Sequence, residues 1–372
     1  MRKIKDFYNQ YPNLFAVISF LFFLYLFFLS LEMMGGSLKL FGKDFSHSLI
    51  AATTNPFVGL FIGILSTSII QSSSSTTSIV VGMVAGGAFS SDPQTSILLA
   101  IPIIMGANIG TSITNILASL PQINRSNEFR KAFAAAIVHD FFNVLSVIVL
   151  FPLQLATNFL GNLSADLADM FAGVGGLKFL SPVKAITEPV VEKIEVYFTN
   201  IPWLMLVISI LLLFVALRYM VSSLKVIVVT RAKDWFDNLL FKTAGRAFTL
   251  GIILTMLVQS SSITTSLVVP MAGAGLLTLV QIFPYTLGAN IGTTITAILA
   301  SLITGNIAAV TVAFAHTLFN VSGIVVWWPL KKVPLTMASK FAEYSIKSKI
   351  VPLAYILIVF FIIPLLVIYL TN

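Results

Sequence analysis

The sequence predicts an all-α polytopic membrane protein built from two inverted-topology repeats, each with a re-entrant hairpin or broken helix bearing a QSSS motif. Three observations carry this. The chain is 57% hydrophobic and only 10% charged, with a mean hydropathy of +0.97, against roughly 25% charged residues in soluble domains. QSSSSTTS at 71–78 is nearly repeated by QSSSITTS at 259–266, each inside apolar surroundings. The charges flanking the two copies are reversed.

Long apolar runs start at Leu14, Pro202 and Val351 and approach the roughly 20 residues needed to cross a bilayer. MRKIK precedes the first run, but that run is long for a signal peptide and no small-residue cleavage site follows, so a retained first helix is expected. The net charge of +8 sits in short segments between apolar runs. That is the positive-inside bias of a membrane protein, and no nucleic-acid partner is expected. With no cysteine there is no disulfide, thiol nucleophile or thiolate metal site. No phosphate loop, HExxH or GxSxG is present, so neither an enzyme nor an organic cofactor is expected, and uphill transport would draw on an ion gradient.

The repeat organises the chain. QSSSSTTSIVVGMVAGG (71–87) agrees with QSSSITTSLVVPMAGAG (259–275) at 11 of 17 positions, and GANIGTSITNILASL (106–120) with GANIGTTITAILASL (288–302) at 13 of 15. A third block aligns His139 with His316 and Asn143 with Asn320. The expected parts are an N-terminal helix and connector (1–54), the first repeat (55–151), an external loop and linking helix (152–242), the second repeat (243–330), and a cytoplasmic loop with a C-terminal helix (331–372).

Loop charge orients the parts. Residues 33–54 hold Lys39, Lys43 and Asp44, whereas 218–246 hold six basic and two acidic residues. After the GANIG block the first copy has Arg125, Glu128, Arg130 and Lys131, and the second has the uncharged ITGNIAAVT. Between Asp166 and Glu195 lie five acidic and three basic residues, while 331–349 carries five basic and one acidic. All three comparisons place the copies in opposite orientation in the cell membrane, with a cytoplasmic N-terminus and the 160–200 loop outside.

The hydroxyl runs are too polar for one lipid-facing helix, and a broken helix is tolerated only where it lines a cavity or is buried in protein. A second helical half is expected to begin near Thr76 and near Thr264. A helix N-terminus favours an anion, and Ser and Thr oxygens also suit a hard cation such as sodium. Gly106, Gly110, Gly288 and Gly292 would let the GANIG helices unwind and release carbonyls, with Asn108 and Asn290 adding amides and Thr111, Ser112, Thr114, Thr293, Thr294 and Thr296 adding oxygens. Small and hydroxyl residues also serve helix packing in membranes, but packing gives no reason to repeat a glutamine and three serines in both halves.

His139 and His316 are expected to hold the repeats together by hydrogen bonds, with Asn143 and Asn320 as partners; a proton relay is the alternative. Only the first copy has an aspartate beside its histidine, so Asp140 is either an ion ligand or a tether.

The QSSS pair, GANIGTSITN with GANIGTTITA, and VHDFFN with AHTLFN resemble the type II sodium-phosphate cotransporter family from about Asn55 to Trp328. The resemblance implies sodium-coupled uptake of inorganic phosphate by alternating access. By motif it carries phosphate binding to Gln71, Ser72, Ser73, Ser74, Gln259, Ser260, Ser261, Ser262, Asn108 and Asn290. Sodium is expected at Ser73, Ser74, Thr76, Thr77, Thr111, Thr114, Ser261, Ser262, Thr264, Thr265, Thr293 and Thr296. The inter-repeat loop lacks the cysteines and glycosylated expansion of animal members, its single Asn-x-Ser being Asn162-Leu163-Ser164, so a minimal bacterial-type member is expected. An acidic residue linked to electrogenic transport in part of the family has no counterpart in PQINRSNEF, which leaves the charge stoichiometry open. The alternatives are a symporter for another oxyanion, a channel or a phosphate-sensing membrane protein.

Overall fold

The computed structural model describes residues 12–53, 55–173, 181–232 and 241–371. These form sixteen α-helices in chain order, with no strand among the described residues. Helix α1 (Pro12–Thr53) precedes the first hydroxyl unit, α2 (Pro56–Ile70), α3 (Ser73–Ala85), α4 (Pro93–Thr111), α5 (Ile113–Ser119) and α6 (Ser126–Thr157). Then come α7 (Phe159–Gly173), α8 (Ser181–Phe198) and α9 (Pro202–Ala232). The second unit is α10 (Ala244–Val258), α11 (Ser261–Gly273), α12 (Leu279–Thr304) and α13 (Ile307–Trp327). The chain continues through α14 (Lys332–Ser345), α15 (Ile350–Leu357), a π-helical turn at Ile358–Ile362 and α16 (Ile363–Thr371).

Six spans among the described residues are long and apolar enough to cross a bilayer: Leu14–Met34, Pro93–Gln122, Ser126–Thr157, Leu279–Thr304, Ile307–Trp327 and Ile350–Thr371. The chain is an all-α multi-pass membrane protein. Helices α2 and α3 have 15 and 13 residues, or about 22 and 20 Å at 1.5 Å per residue. Neither reaches across a hydrocarbon core of about 30 Å, and α10 and α11 are equally short.

The two units pack alike. Helix α2 lies against α4, and α10 against α12. Glycine makes both contacts possible: a Cβ on Gly63 would overlap the Ile103 carbonyl, and one on Gly106 the Leu60 carbonyl. In the second unit Gly251 meets Tyr285 and Gly288 meets Phe248 in the same way. The units also cross-pack, α3 on α12 and α11 on α6. A core of Met105, Ile109, Phe133, Ile137, Leu287 and Phe319 joins them.

This corrects the expectation that the glycines unwind the GANIG segments. Residues 106–110 and 288–292 are helical, because close backbone approach between helices rewards glycine where exposed carbonyls would not be repaid. The first copy breaks two residues later, between α4 and α5 at Ser112, whereas α12 runs on unbroken. The segments expected as loops at 160–200 and 331–349 are largely helical, as α7, α8 and α14. Lys178, Lys233, Asp234 and Asp237, used in the charge comparison, lie outside the described residues, as do the side chains of Lys39, Lys43 and Asp44.

Contacts sort the helix ends into two groups. At one end Lys349 donates to Asn124 at 2.6 Å, Arg130 faces Glu343 at 3.8 Å, Lys131 lies beside Gly275, and Gln281 donates to the Phe241 carbonyl at 3.2 Å. At the other, Asn306 donates to the Ala85 carbonyl at 3.4 Å.

Candidate functional site

Each hydroxyl run folds into a corner between two short helices. Gln71 ends α2 and Gln259 ends α10, both left-handed at φ 57° and 55°. Their amides close on the Thr67 and Thr255 carbonyls at 2.7 Å. A glutamine held there costs about 1–2 kcal/mol that a glycine would not. Ser72 and Ser260 are extended N-caps at φ −151° and −153°, accepting from the amides of Ser75 and Ile263.

The new helices therefore begin at Ser73 and Ser261, three residues before the expected starts at Thr76 and Thr264, because Ser caps better than it continues a helix. Thr67 donates to Thr76 at 3.0 Å, and Thr255 and Thr264 share a 2.7 Å bond, pinning each corner. Thr77 donates back to the Ser73 carbonyl at 2.8 Å, and Thr265 to that of Ser261 at 2.6 Å.

Ser73, Ser74, Ser261 and Ser262 are buried residues, and their hydroxyls make no hydrogen bond to the protein among the described residues. They sit in first turns whose N–H groups have no intrahelical acceptor. Free hydroxyls, free amides and a positive helix end make each corner fit for an anion, while the same hydroxyl oxygens suit a hard cation.

The expected amides come together in one neutral chain linking the units. The Thr265 hydroxyl, whose one proton serves either the Ser261 carbonyl or Asn115, lies 2.8 Å from Asn115 Oδ1, and Asn115 Nδ2 meets His139 Nδ1 at 2.8 Å. His139 Nε2 meets Asn290 Oδ1 at 2.6 Å, Asn290 donates to Asn143 Oδ1 at 2.8 Å, and Asn143 donates to the Asn108 carbonyl at 2.7 Å. Asn320 adds a 3.3 Å bond to Asn108 Oδ1. With Asn115 Nδ2 oriented to donate and Asn290 Oδ1 to accept, His139 accepts at Nδ1 and donates from Nε2. Amides on both ring nitrogens neither take nor release protons near neutrality, so this geometry favours cross-linking over relay.

The histidine partners differ from the expectation. Asn143, one turn from His139 on α6, is committed to Asn108 and Asn290, so His139 reaches Asn115 and Asn290 instead. His316 is fully buried with neither ring nitrogen partnered among the described residues, and Asn320 binds the His316 carbonyl rather than its ring. The cause is a sequence difference: the position of Asn115 is Ala297 in the second copy.

Asp140 accepts from Ser112 at 2.5 Å on one oxygen and from Tyr355 on the other, tying α15 and the break after α4 to α6. In the second copy Thr317 replaces Asp140, Thr294 keeps the within-helix bond to Ile291 that Ser112 also makes to Ile109, and α12 stays continuous. Thr111 and Thr293 likewise bond the carbonyls of Ala107 and Ala289 at 2.9 and 3.0 Å, so their hydroxyls are already engaged. Thr296 donates to Gln259 Oε1 at 2.5 Å, whereas Thr114 is half-buried, its enclosed hydroxyl without a partner among the described residues. A separate cavity of about 270 Å³, lined by Arg130, Lys131, Thr278, Ser339 and Glu343, lies at the basic end of the bundle near the far end of α11.

Sequence reasoning missed Asn115 and Tyr355. Asn115 was visible as one of only two mismatches between the GANIG blocks. Tyr355 gave no signal, being one aromatic in an apolar run.

The chain is 33% identical over 466 residues to sodium-dependent phosphate transport protein 2B of Homo sapiens, covering 98% of this chain and 66% of that protein. It is 33% identical over 452 residues to the 2B protein of Pongo abelii, covering 94% and 64%, and 32% identical over 425 residues to the 2A protein of Rattus norvegicus, covering 93% and 66%. The chain thus spans slightly less than two thirds of these relatives. No solved structure matches it. The Na+/Pi-cotransporter family matches residues 26–179 and 212–338, taking in both hydroxyl corners, both GANIG helices and both histidine blocks. The chain belongs to the Na+/Pi-cotransporter family.

Proposed function

We propose that the chain is a secondary active transporter that carries inorganic phosphate into the cell together with sodium. The carrying observation is the pair of matching corners, each with two buried serines at a helix N-terminus whose hydroxyls are unengaged among the described residues. The names of the relatives, sodium-dependent phosphate transport proteins 2A and 2B, support that cargo.

In this account Gln71 to Ser74 and Gln259 to Ser262 bind phosphate with Asn108 and Asn290 behind them, and the hydroxyl oxygens of Ser73, Ser74, Ser261 and Ser262 are shared with sodium. Thr76, Thr77, Thr264 and Thr265 shape the corners through their own bonds, and Thr111, Thr114, Thr293 and Thr296 line the neighbouring helices. Residues 55–151 and 243–330 act as inverted repeats that rearrange around the site, as paired half-helices do in other transporters. In the same account that end of the bundle, and the N-terminus, face the cytoplasm of a cell membrane, a reading supported by the basic residues at 125–131 and 331–349.

Phosphate titrated into the purified protein tests the site. Saturable heat is expected in sodium chloride and absent in choline chloride; equal affinity in both salts contradicts the coupling.

A further inference from the structure

Gln71 and Gln259 occupy the same left-handed position, yet they are held differently. Gln259 is 8% exposed, accepts from Thr296 at 2.5 Å and donates to the Met256 carbonyl at 2.6 Å. Gln71 is exposed, and its side chain reaches no partner among the described residues. Thr114 stands where Thr296 stands in the other GANIG block, and its buried hydroxyl has no partner either. Glutamine and threonine are the same in both copies, so these two residue types do not account for the difference. The two sides also differ at the helix itself, which is interrupted at Ser112, two residues before Thr114, whereas α12 is continuous through Thr296.

The geometry points to Thr296 and Thr114 as positioning residues that hold the two corner glutamines in turn. The Thr296–Gln259 bond is closed in the state described, and a Thr114–Gln71 bond closes in the opposite-facing state. Each state then leaves one buried threonine hydroxyl unsatisfied, so the two differ little in hydrogen bonding, as interconverting states must. This rests on the alternating-access reading but not on which anion is carried.

The test is hydrogen exchange on the full chain in lipid nanodiscs, without sodium or phosphate, read at peptides covering 71–78 and 259–266. Thr296→Val keeps the shape and removes the bond. It is expected to raise exchange at 259–266 and lower it at 71–78, by about five-fold, the population shift from losing one hydrogen bond. Thr114→Val is expected to do the reverse, Thr296→Ser and Thr114→Ser to match the parent, and the double valine variant to return towards it. Alanine variants carry the same test should valine not fold. Changes confined to the mutated side, or of one sign at both corners, overturn the proposal and mark a fixed asymmetry. Because no substrate is present, reciprocal exchange without phosphate transport would fail only the cargo reading.

Discussion

His139 Nε2 and Asn290 Oδ1 meet at 2.6 Å across 151 positions of chain, one residue from each copy of the repeat. Removing the imidazole strands Asn115 Nδ2 and Asn290 Oδ1 in the core. His139→Leu should lower stability by about 1–3 kcal/mol. His316, equally buried but unpartnered, should accept leucine with little loss or a gain. Thermal unfolding midpoints in detergent compare the two; equal losses would refute the network as described.

Gly63 and Gly106 bring α2 and α4 into backbone contact. Alanine at either should cost about 1–3 kcal/mol by forcing the helices apart. At Gly245 a Cβ meets nothing within 4 Å, and alanine should stabilise α10 by about 0.5–1 kcal/mol. The same unfolding assay reads both, and a tolerated Gly63→Ala would mean the close approach is not needed.

Tyr355 donates to a carboxylate oxygen that has no other donor among the described residues. Tyr355→Phe should loosen α15 from α6, at about 1–3 kcal/mol. Faster proteolysis within 346–358 is the readout, and unchanged cleavage would discount the tether.

Asp92 caps α4, and its carboxyl is held below the usual range first by the Thr95 hydroxyl, then by the Thr95 amide. The folded value is depressed, so the cap contributes fully above the unfolded value of about 4 and is lost as pH falls through the folded one. Exchange of the Thr95 amide, corrected for intrinsic rate, should rise below about pH 4, and Asp92→Asn should flatten that rise.

Much of the architecture was legible because symmetry made it so. The repeated QSSS blocks mark both corners, and the backbone angles at Gln71 and Gln259 agree to within a few degrees. The role of the GANIG glycines was not legible, since glycine permits both unwinding and close approach, and only the neighbouring backbone decides. The histidine partners were hidden for a related reason: a one-residue mismatch, Asn115 against Ala297, satisfies one imidazole and strands the other. Ser75, replaced by Ile263 in the second corner, bonds only Ser72. Ser75→Ala should therefore retain phosphate binding, while Ser73→Ala and Ser261→Ala weaken it about ten-fold, from loss of one hydrogen bond to a charged ligand. Calorimetric titration separates the three.

The most direct measurement is uptake of labelled phosphate into proteoliposomes holding the full chain, with and without an inward sodium gradient. Saturable accumulation above the external concentration is expected, collapsing when the sodium gradient is removed. Accumulation that ignores sodium, or equilibration without accumulation, would contradict sodium-coupled uptake.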